Sequence, residues 1–382
     1  MVRPIYLDYN GTTPIDPAVL AAMRPFLEEE FGNPASSHWY GIAPKRAVEK
    51  ARGQVAGLLG CAPEEIIFTS GGTEANNHAI RGVIEASAAG SHIITSAIEH
   101  PAVLQVCRYL ESRGVTTTIL PVDGHGLVDP ADVEAAIRPD TALITIMHSN
   151  NEVGALQPIA EIAAIAHRRA ILFHSDAAQS PGKIRLDVGE LGVDLLSLAG
   201  HKLYAPKGVG ALFVRQGVHL VPFCHGAGQE MGRRAGTENV AGIVGLGMAC
   251  EIAGRDLDRN MKQMRSLRDR LYQGLAARLG ETIRRNGHPE QRLVNTLSLS
   301  FQGLAANHLL EEIGLEVAAS AGAACHSDTV EISHVLAAMQ VPDEWAAGTL
   351  RFTVGRMTTT AEIDRTIAVV SEAATRLRTA AV

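Results

Sequence analysis

Short apolar runs alternate with helical patterns between residues 17 and 214. The runs have the length and the β-branched content of buried strands, and the segments between them have helical spacing and caps. This alternation predicts an α/β fold with a mainly parallel sheet flanked by helices. The predicted strands lie at 66–69, 93–95, 115–120, 143–147, 171–173, 195–198 and 209–214, and the predicted helices begin near residues 17, 42, 73, 101 and 159.

The pattern changes after Gly236. Two long helical patterns run from residue 240 to residue 279, and a mixture of two apolar runs (296–301 and 350–354) and two helical segments follows them. This mixture is typical of an α+β arrangement. We therefore predict a large domain over residues 15–253 and a smaller α+β domain formed by residues 1–14 and 254–382.

One lysine stands between two of the apolar runs. The run at 195–198 ends at Gly200, Lys202 follows at once, and a turn at 206–208 leads into the next run. A lysine between buried strands is costly unless its amine is paired, neutral or covalently bound. A Schiff base meets that condition, and a solvated lysine at the end of a strand is the structural alternative.

A glycine-rich turn, Thr-Ser-Gly-Gly-Thr-Glu at 69–74, joins a predicted strand to a predicted helix. The free amides of a helix N-terminus, the helix dipole and the Thr73 hydroxyl can together bind a phosphate group. The turn lacks the P-loop lysine and the GxGxxG spacing of dinucleotide sites, so a nucleotide is not indicated. Taken alone, the turn is better explained as a plain helix cap.

Polar residues follow two further strands. Asp176 and Gln179 come after the run at 171–173, and Glu99-His100-Pro101 follows another strand. Open α/β sheets bind ligands at the carboxyl ends of their strands, so these residues and Lys202 can share one crevice. Each alone has a structural explanation, as a helix cap or a satisfied histidine. Together, an aspartate, a lysine and a phosphate cradle are the parts of a pyridoxal phosphate site.

A segment of small residues, 318–328, carries Cys325 beside His326. Small side chains bury little surface, so we predict that the segment is mobile and that its thiol is reactive. A glycine-alanine turn with an incidental thiol is the alternative. We further hypothesise that His326 lowers the pKa of the thiol. The four other cysteines are scattered without metal-binding spacing, so we expect no metal site and mostly buried, reduced thiols.

Composition narrows the range of partners. The 382 residues include 34 Lys and Arg against 41 Asp and Glu, and the net charge is −7. Direct binding of nucleic acid is therefore not expected. No apolar run approaches the length of about 18 residues that a membrane span needs, and Asp8 lies where a signal peptide would have its apolar core. We expect a soluble cytoplasmic protein.

The chain resembles the cysteine desulfurases of the NifS/IscS type, which are class V aminotransferase relatives within the fold type I pyridoxal phosphate enzymes. The matching segments fall in the family's order over nearly the whole chain: YLDYNGTTP, GNPASSHWYG, FTSGGTEANN, EHPAV, NNEVG, HSDAAQS, GHKLYAPKGVGAL, RRAGTEN, SAGAACHSD and LRFTVGRMTT. The resemblance implies a seven-stranded sheet, pyridoxal 5'-phosphate as cofactor and a homodimer. It also implies a sulfurtransferase that converts L-cysteine to L-alanine and passes the sulfur to an acceptor protein.

The resemblance further implies roles for individual residues. Lys202 would bind the cofactor and act as base, Asp176 would keep the ring nitrogen protonated, and Gln179 would contact the phenolic oxygen. His100 would stack on the ring and move protons, and Cys325 would carry the sulfur as a persulfide.

The remaining implied roles concern the cofactor's phosphate group and the substrate. The phosphate group would be held by Gly72, Thr73 and His201 of one subunit and by Thr237 of the second subunit. Asn151 and Arg351 would bind the substrate carboxylate, for which a bidentate arginine is well suited.

Two departures from the family pattern keep alternatives open. Ala199 stands where housekeeping members have a serine, with Ser197 as a candidate to compensate, and Ala-Gly-Ala-Ala-Cys-His replaces Ser-Gly-Ser-Ala-Cys-Thr around Cys325. Both changes resemble the sequences of selenocysteine lyases. Selenocysteine lyase is therefore the alternative function. A class V aminotransferase or β-lyase and a non-catalytic scaffold are further alternatives. The acceptor pathway stays open among iron-sulfur assembly, tRNA thiolation and DNA phosphorothioation.

Overall fold

The computed structural model describes residues 3–87, 91–326 and 329–380, and it describes residues 323–326 and 329–331 by their backbone alone. The helices are α1 (Pro17–Met23), α2 (Pro25–Glu28), α3 (Trp39–Leu59), α4 (Gly72–Ala86), α5 (Pro101–Glu111), α6 (Pro130–Ala136), α7 (Ile159–Arg168), α8 (Val188–Leu191), α9 (Val240–Arg255), α10 (Leu257–Leu279), α11 (Ala306–Ile313), α12 (His334–Ala338), α13 (Asp343–Ala346) and α14 (Thr360–Ala380). The strands are β1 (Ile5–Tyr6), β2 (Ile66–Thr69), β3 (His92–Ser96), β4 (Thr116–Leu120), β5 (Thr141–Thr145), β6 (Leu172–Asp176), β7 (Leu195–Ala199), β8 (Gly210–Val214), β9 (Ile283–Asn286), β10 (Thr296–Phe301), β11 (Val317–Ala318), β12 (Ser320–Ala321), β13 (Ala323–His326), β14 (Thr329–Ile332) and β15 (Thr349–Thr353).

A seven-stranded sheet forms the centre of the larger part of the molecule. Its strand order is β2-β8-β7-β6-β5-β3-β4. Strands β4, β3, β5, β6 and β7 pair in parallel, and β8 is antiparallel to both of its neighbours. The short connection through Lys202 forces β8 to run back beside β7, whereas helical crossovers allow the parallel pairs. The predicted α/β class and mainly parallel sheet are confirmed.

Alternate residues of the buried strands face helices on opposite sides of the sheet. Ile66 and Phe68 belong to the apolar cluster that includes α1, α3, α7 and α9. Ile67 belongs to the cluster that includes α4 and α5. The strands are therefore buried on both faces, which explains their nearly continuous apolar sequences.

A second sheet, of order β12-β15-β10-β9, is antiparallel and packs against α10, α11 and α14. The chain's beginning joins this region, since Ile5 and Tyr6 of β1 pair with Val317 and Ala318 of β11. Strand β9, with the sequence Ile-Arg-Arg-Asn, was missing from the sequence-based expectations because it lacks an apolar run. The domain boundaries at residues 14 and 253 stay predictions.

Strands β13 and β14 form a two-stranded antiparallel hairpin within the segment where we predicted a mobile loop. Residues 327 and 328, and the side chains of Cys325 and His326, lie outside the described part of the structure. The hypothesis about the thiol pKa therefore stays a hypothesis. Cys107 and Cys250 are buried and Cys61 and Cys224 partly buried, all as free thiols. None of the described helices has the length and hydropathy needed to cross a membrane.

Candidate functional site

A cleft of about 340 Å³ lies at the carboxyl ends of the central strands. The turns after β2, β3, β5, β6 and β7 all contribute to it, as expected for an open α/β sheet. Nine of the predicted site residues line it: Gly72, Thr73, His100, Asn151, Asp176, Gln179, His201, Lys202 and Arg351. Arg351 comes from the second sheet, so the cleft lies between the two sheets.

Lys202 ends a single helical turn that begins directly after β7. Gly200 starts this turn, and a Cβ atom there would lie 2.9 Å from the carbonyl oxygen of Val209, which only glycine tolerates. The amine of Lys202 donates to the carbonyl oxygen of Gly11 at 2.9 Å and to that of Asn10. Burial, reinforced by the charge of Arg351, lowers the pKa of this amine to about 8. A substantial fraction of the amine is thus neutral, and nucleophilic, near physiological pH.

Asp176 is the last residue of β6 and is buried. Its two carboxylate oxygens accept hydrogen bonds from Asn76 Nδ2 at 2.7 Å and from the main-chain amide of Ala178 at 2.9 Å. These donors fix the orientation of the carboxylate at the floor of the cleft. An acid held in this way is suited to a protonated heterocyclic nitrogen.

His100 caps the N-terminus of α5, and its Nδ1 accepts a hydrogen bond from the main-chain amide of Ala102 at 3.0 Å. Burial lowers the pKa of the His100 ring. Because Nδ1 accepts, the neutral ring carries its proton on Nε2. His100 can therefore both pack against a flat ligand and donate a proton from a defined atom.

Helix α4 points its N-terminus into the cleft. Gly72 and Thr73 are its first residues, and their main-chain amides have no partner within a helix that starts here. Burial, together with the charges of Lys202 and other lysines, lowers the pKa of His201 to about 4, so this side chain is a neutral donor or acceptor at pH 7. The amides, the Thr73 hydroxyl and His201 together suit a phosphate group.

The departure at Ala199 is visible in the geometry. Ala199 lines the cleft, and its Cβ atom would lie 3.3 Å from a Cβ atom placed on Gly72. Ser197 does not compensate for the missing hydroxyl. Ser197 lies two residues before Ala199 in β7, and its buried Oγ contacts His174 Nε2 at 2.9 Å.

Arg351 lines the cleft from the second sheet. Its guanidinium donates to Asp8 Oδ1 at 2.7 Å and to the carbonyl oxygen of Asn151 at 3.1 Å. Its Nε is buried and has no hydrogen-bond partner within the described residues. An unpaired buried N–H is costly, so this atom marks a place where a carboxylate ligand would stabilise the site.

The residues present fit pyridoxal phosphate. The helix N-terminus suits the phosphate group, the fixed carboxylate of Asp176 suits the pyridine nitrogen, and the partly neutral amine of Lys202 suits the aldehyde. The unpaired Nε of Arg351 suits the carboxylate of an amino-acid substrate. The individual roles stay predictions, whereas the convergence of these side chains in one cleft is observed.

Asn10 is a site residue that the sequence-based reasoning missed. It is 1% exposed. Its Nδ2 donates to the carbonyl oxygen of Asn151 and to Thr296 Oγ1, while its main-chain carbonyl accepts from Gln179 Nε2 and from Lys202. In the sequence, Asn10-Gly11 has the pattern of an ordinary turn, and only the tertiary contacts reveal its position.

The base of the hairpin is joined to the cleft through residues next to predicted site residues. The main-chain amide of Ser333 donates to the carbonyl oxygen of Gly322 at 3.1 Å, and the Ser333 hydroxyl donates to Glu152, the neighbour of Asn151. His334 Nε2 lies 3.0 Å from the carbonyl oxygen of Glu99, which precedes His100.

Of the two other predicted residues, Thr237 is not brought into the cleft and Cys325 lies where side chains are not described. Thr237 is exposed and does not line the cleft of its own chain. The segment before it is tied to α4 by an ion pair between Arg234 Nε and Glu74 Oε1 at 2.7 Å. Cys325 has no described side chain, so its distance from Lys202 is not part of the observed geometry.

Comparisons with known proteins show which family the chain is similar to. The aminotransferase class-V family model matches residues 5–366. The cysteine desulfurase IscS of Dictyoglomus turgidum is 48% identical over 381 residues, which cover 99% of this chain and 96% of that protein. A solved NifS-like protein has a TM-score of 0.91 and 39% identity, with 97% of this chain and 99% of that chain covered. The solved structure of SspA in complex with cysteine has a TM-score of 0.81 and 37% identity, with 93% and 100% covered.

Proposed function

Since the chain belongs to the aminotransferase class-V family, we propose that it is a pyridoxal phosphate-dependent cysteine desulfurase. It converts L-cysteine to L-alanine and takes the sulfur as a persulfide on Cys325. The observation that carries the proposal is the meeting of Lys202, Asp176 and the N-terminus of α4 in one cleft, which Arg351 with its unpaired Nε also lines. A neighbouring structure that contains cysteine, that of SspA, supports the choice of substrate.

When bound, pyridoxal phosphate supplies an electron-accepting ring that acidifies the Cα–H bond of an attached amino acid. The protein's residues do the rest. Asp176, oriented by Asn76 and Ala178, would keep the ring nitrogen protonated, and Arg351, held by Asp8, would fix the substrate carboxylate. A substrate held by these residues would lie in the cleft that Lys202 and Arg351 both line.

Lys202 and His100 are the groups that can move protons at defined atoms. The Lys202 amine, whose pKa is about 8, can take the Cα proton when it is neutral and return it when protonated. His100 holds its proton on Nε2, because Nδ1 accepts from Ala102. Two proton carriers suit a reaction that removes a proton from one carbon and later protonates another.

Sulfur transfer requires a nucleophile. The Cys325 thiolate attacks the sulfur of the bound substrate, the new S–S bond forms as the C–S bond breaks, and the electron pair of that bond stays with the carbon fragment. Protonation of this fragment yields alanine, and the extra sulfur remains on Cys325 until an acceptor protein takes it. No external oxidant or reductant is needed at this stage.

The test is to incubate the purified protein with L-cysteine and analyse both products. We expect alanine and an added sulfur atom on the Cys325 peptide, in equal amounts during the first turnover, before a free thiol such as excess L-cysteine removes the sulfur. An aminotransferase or β-lyase would produce a keto acid or pyruvate instead of alanine and would leave Cys325 unmodified. A non-catalytic scaffold would yield neither product.

Selenocysteine lyase is the alternative function. Its support is the alanine at position 199 and the altered residues around Cys325. A comparison of kcat/KM for L-cysteine and L-selenocysteine decides between the two activities. A desulfurase turns over cysteine at a rate that depends on Cys325, whereas a specific lyase turns over only the selenium substrate at a useful rate.

The finer features of the proposal concern assembly and location. We assign Thr237 to the phosphate site of a second subunit, so the active form would be a homodimer. We separately propose that the protein is located in the cytoplasm. The support is that Thr237 is exposed on its own chain, three residues after Arg234, whose guanidinium pairs with Glu74 of α4. Light scattering of the purified protein tests the dimer. The acceptor stays open among the three pathways named above.

A further inference from the structure

Lys183 is a second buried lysine beside the cleft, and the proposed reaction does not use it. The residue is 5% exposed. Its amine donates to Gln179 Oε1 at 2.8 Å and to Asn10 Oδ1 at 3.1 Å. Both partners are neutral amide oxygens, which is an uncommon environment for a lysine. Burial, together with the charges of Lys202 and Arg351, lowers the pKa of Lys183 well below its ordinary value.

The orientation of Gln179 follows from its contacts. Its Nε2 lies 3.0 Å from the main-chain carbonyl of Asn10, which can only accept a hydrogen bond. The amide nitrogen must therefore be on that side, and the amide oxygen must face Lys183. Of the two N–H bonds on Nε2, the described contacts use one. Gln179 also lines the cleft, so the other N–H is available to a ligand there.

The orientation of Asn10 is fixed in the same way. Its Nδ2 donates to the carbonyl oxygen of Asn151 and to Thr296 Oγ1, and its Oδ1 accepts from Asn295 Nδ2 at 3.0 Å as well as from Lys183. Lys183 therefore bridges the side-chain oxygens of Gln179 and Asn10, and the nitrogen of each amide has its own hydrogen-bond acceptor. Without its amine, the oxygen of Gln179 would be buried without a partner, which costs about 1–3 kcal/mol in general. An amide that turns to find another donor for this oxygen gives up the hydrogen bond from its Nε2 to the Asn10 carbonyl, and with it the placement of its second N–H.

We propose that Lys183 is a positioning residue that holds the Gln179 side chain with its amide nitrogen toward the ligand. Lys183 does not touch the ligand and acts through Gln179 and Asn10. The inference rests on the proposed function in one respect, since it takes the ligand to be pyridoxal phosphate, whose phenolic oxygen the Gln179 N–H would meet. A hydrogen-bond donor at that oxygen favours its deprotonated form.

The experiment is a pH titration of the visible absorbance of the bound cofactor in the full-length holoenzyme. Lys183→Met has nearly the same volume but no donor, and we expect it to move the titration midpoint upward by about one pH unit. Lys183→Gln keeps an N–H donor and should stay close to the parent midpoint. Lys262→Met, at an exposed position of α10, is the matched control and should not differ from the parent.

A double-variant cycle separates positioning from a general structural effect. Gln179→Leu alone should move the midpoint as Lys183→Met does, and the two changes together should move it no further. The proposal is wrong if Lys183→Met titrates like the parent, if Lys183→Met and Lys183→Gln move the midpoint equally, or if the two shifts add. It is also wrong if Lys183→Met does not fold, because Lys183 is then a stability residue.

The failure of the proposed function would look different. If the parent protein binds no pyridoxal phosphate and shows no visible absorbance, the proposed function falls and this titration cannot be recorded. If the parent titrates normally and the Lys183 variants do not move the midpoint, only the role of Lys183 is refuted.

Discussion

The cleft and the hairpin of residues 323–332 differ in how they are joined to the rest of the chain. Side chains of the cleft are held by hydrogen bonds that come from segments far apart in sequence, such as those of Asn10 to Asn151 and Thr296. The two strands of the hairpin pair with each other. The structure describes hydrogen bonds between the base of the hairpin and its surroundings, at Gly322, Ser333 and His334.

The proposed reaction gives the two regions different tasks. A cofactor and a substrate carboxylate need groups whose positions are fixed before the ligand arrives. A thiol that collects sulfur in a cleft and delivers it to another protein needs freedom that such fixing would remove. The comparison therefore predicts that variants of the cleft and of the hairpin fail in different ways.

The largest effect is expected from paired variants of the two regions. Lys202→Ala and Cys325→Ser should each reduce alanine formation from L-cysteine by about 1,000-fold or more. Cys325→Ser should keep the visible absorbance of the bound cofactor, because the cleft is intact, whereas Lys202→Ala should lose the lysine-linked absorbance. Absorbance spectra and alanine assays measure both. If Cys325→Ser forms alanine at the parent rate, the hairpin has no part in the reaction.

The amine of Lys202 should titrate far from an ordinary lysine in the cofactor-free protein. Its labelling by an acylating reagent should increase with pH and level off above about pH 8, whereas ordinary lysines have a pKa of 10.5. The difference is about 300-fold in acidity. Competitive labelling followed by mass spectrometry measures it, with exposed Lys262 as internal control. Equal titration of the two lysines would show that burial does not tune Lys202.

The sign of the linked stability follows from the same pKa. Between pH 8 and pH 10.5 the unfolded chain binds a proton at Lys202 that the folded protein does not. The contribution of this group to the free energy of unfolding therefore increases as the pH rises through that window.

Arg351→Lys should increase KM for L-cysteine by about 100-fold, because a lysine cannot reproduce the planar fork that binds a carboxylate. The bound cofactor's absorbance should not change. Arg270→Lys is the control, since this exposed arginine pairs with Asp364 far from the cleft. An unchanged KM in Arg351→Lys would remove Arg351 from the substrate site.

Ser333→Ala should have the smallest effect. It removes the hydrogen bond from the hairpin base to Glu152 and the cap of α12. Loss of one such contact is worth about 1 kcal/mol, so persulfide formation on Cys325 should slow by about fivefold while the absorbance stays as in the parent. Rapid-quench mass spectrometry measures the rate, and Ser112→Ala, an exposed serine of α5's C-terminus, is the control. A parent-like rate would mean that the base does not position the hairpin.

The strands of the central sheet could be predicted because their signals are local. Ile66–Thr69 and Thr296–Phe301 have the predicted bounds. Lys202 lies, as predicted, in the connection between two buried strands. The positions of Asp176 and His100 in one cleft followed from their places at strand ends. Local patterns decide which residues form an element and where that element stops.

The roles of Asn10 and Lys183 could not be predicted, because they depend on contacts that close only in the folded chain. Asn10 contacts Lys183 and Thr296, which are 173 and 286 residues away in sequence. Whether Ser197 could replace the hydroxyl missing at Ala199 also depended on a tertiary contact, since His174 on the neighbouring strand occupies the Ser197 hydroxyl. No pattern within a single element contains this information.

The most direct test of the account is to identify the lysine that binds the cofactor. The holoenzyme is reduced with borohydride, digested and analysed by mass spectrometry. The account predicts one pyridoxyl phosphate group per chain, on the peptide that contains Lys202, and none on the peptide that contains the other buried lysine, Lys183. A label on Lys183, on any third lysine, or on no lysine at all would contradict it.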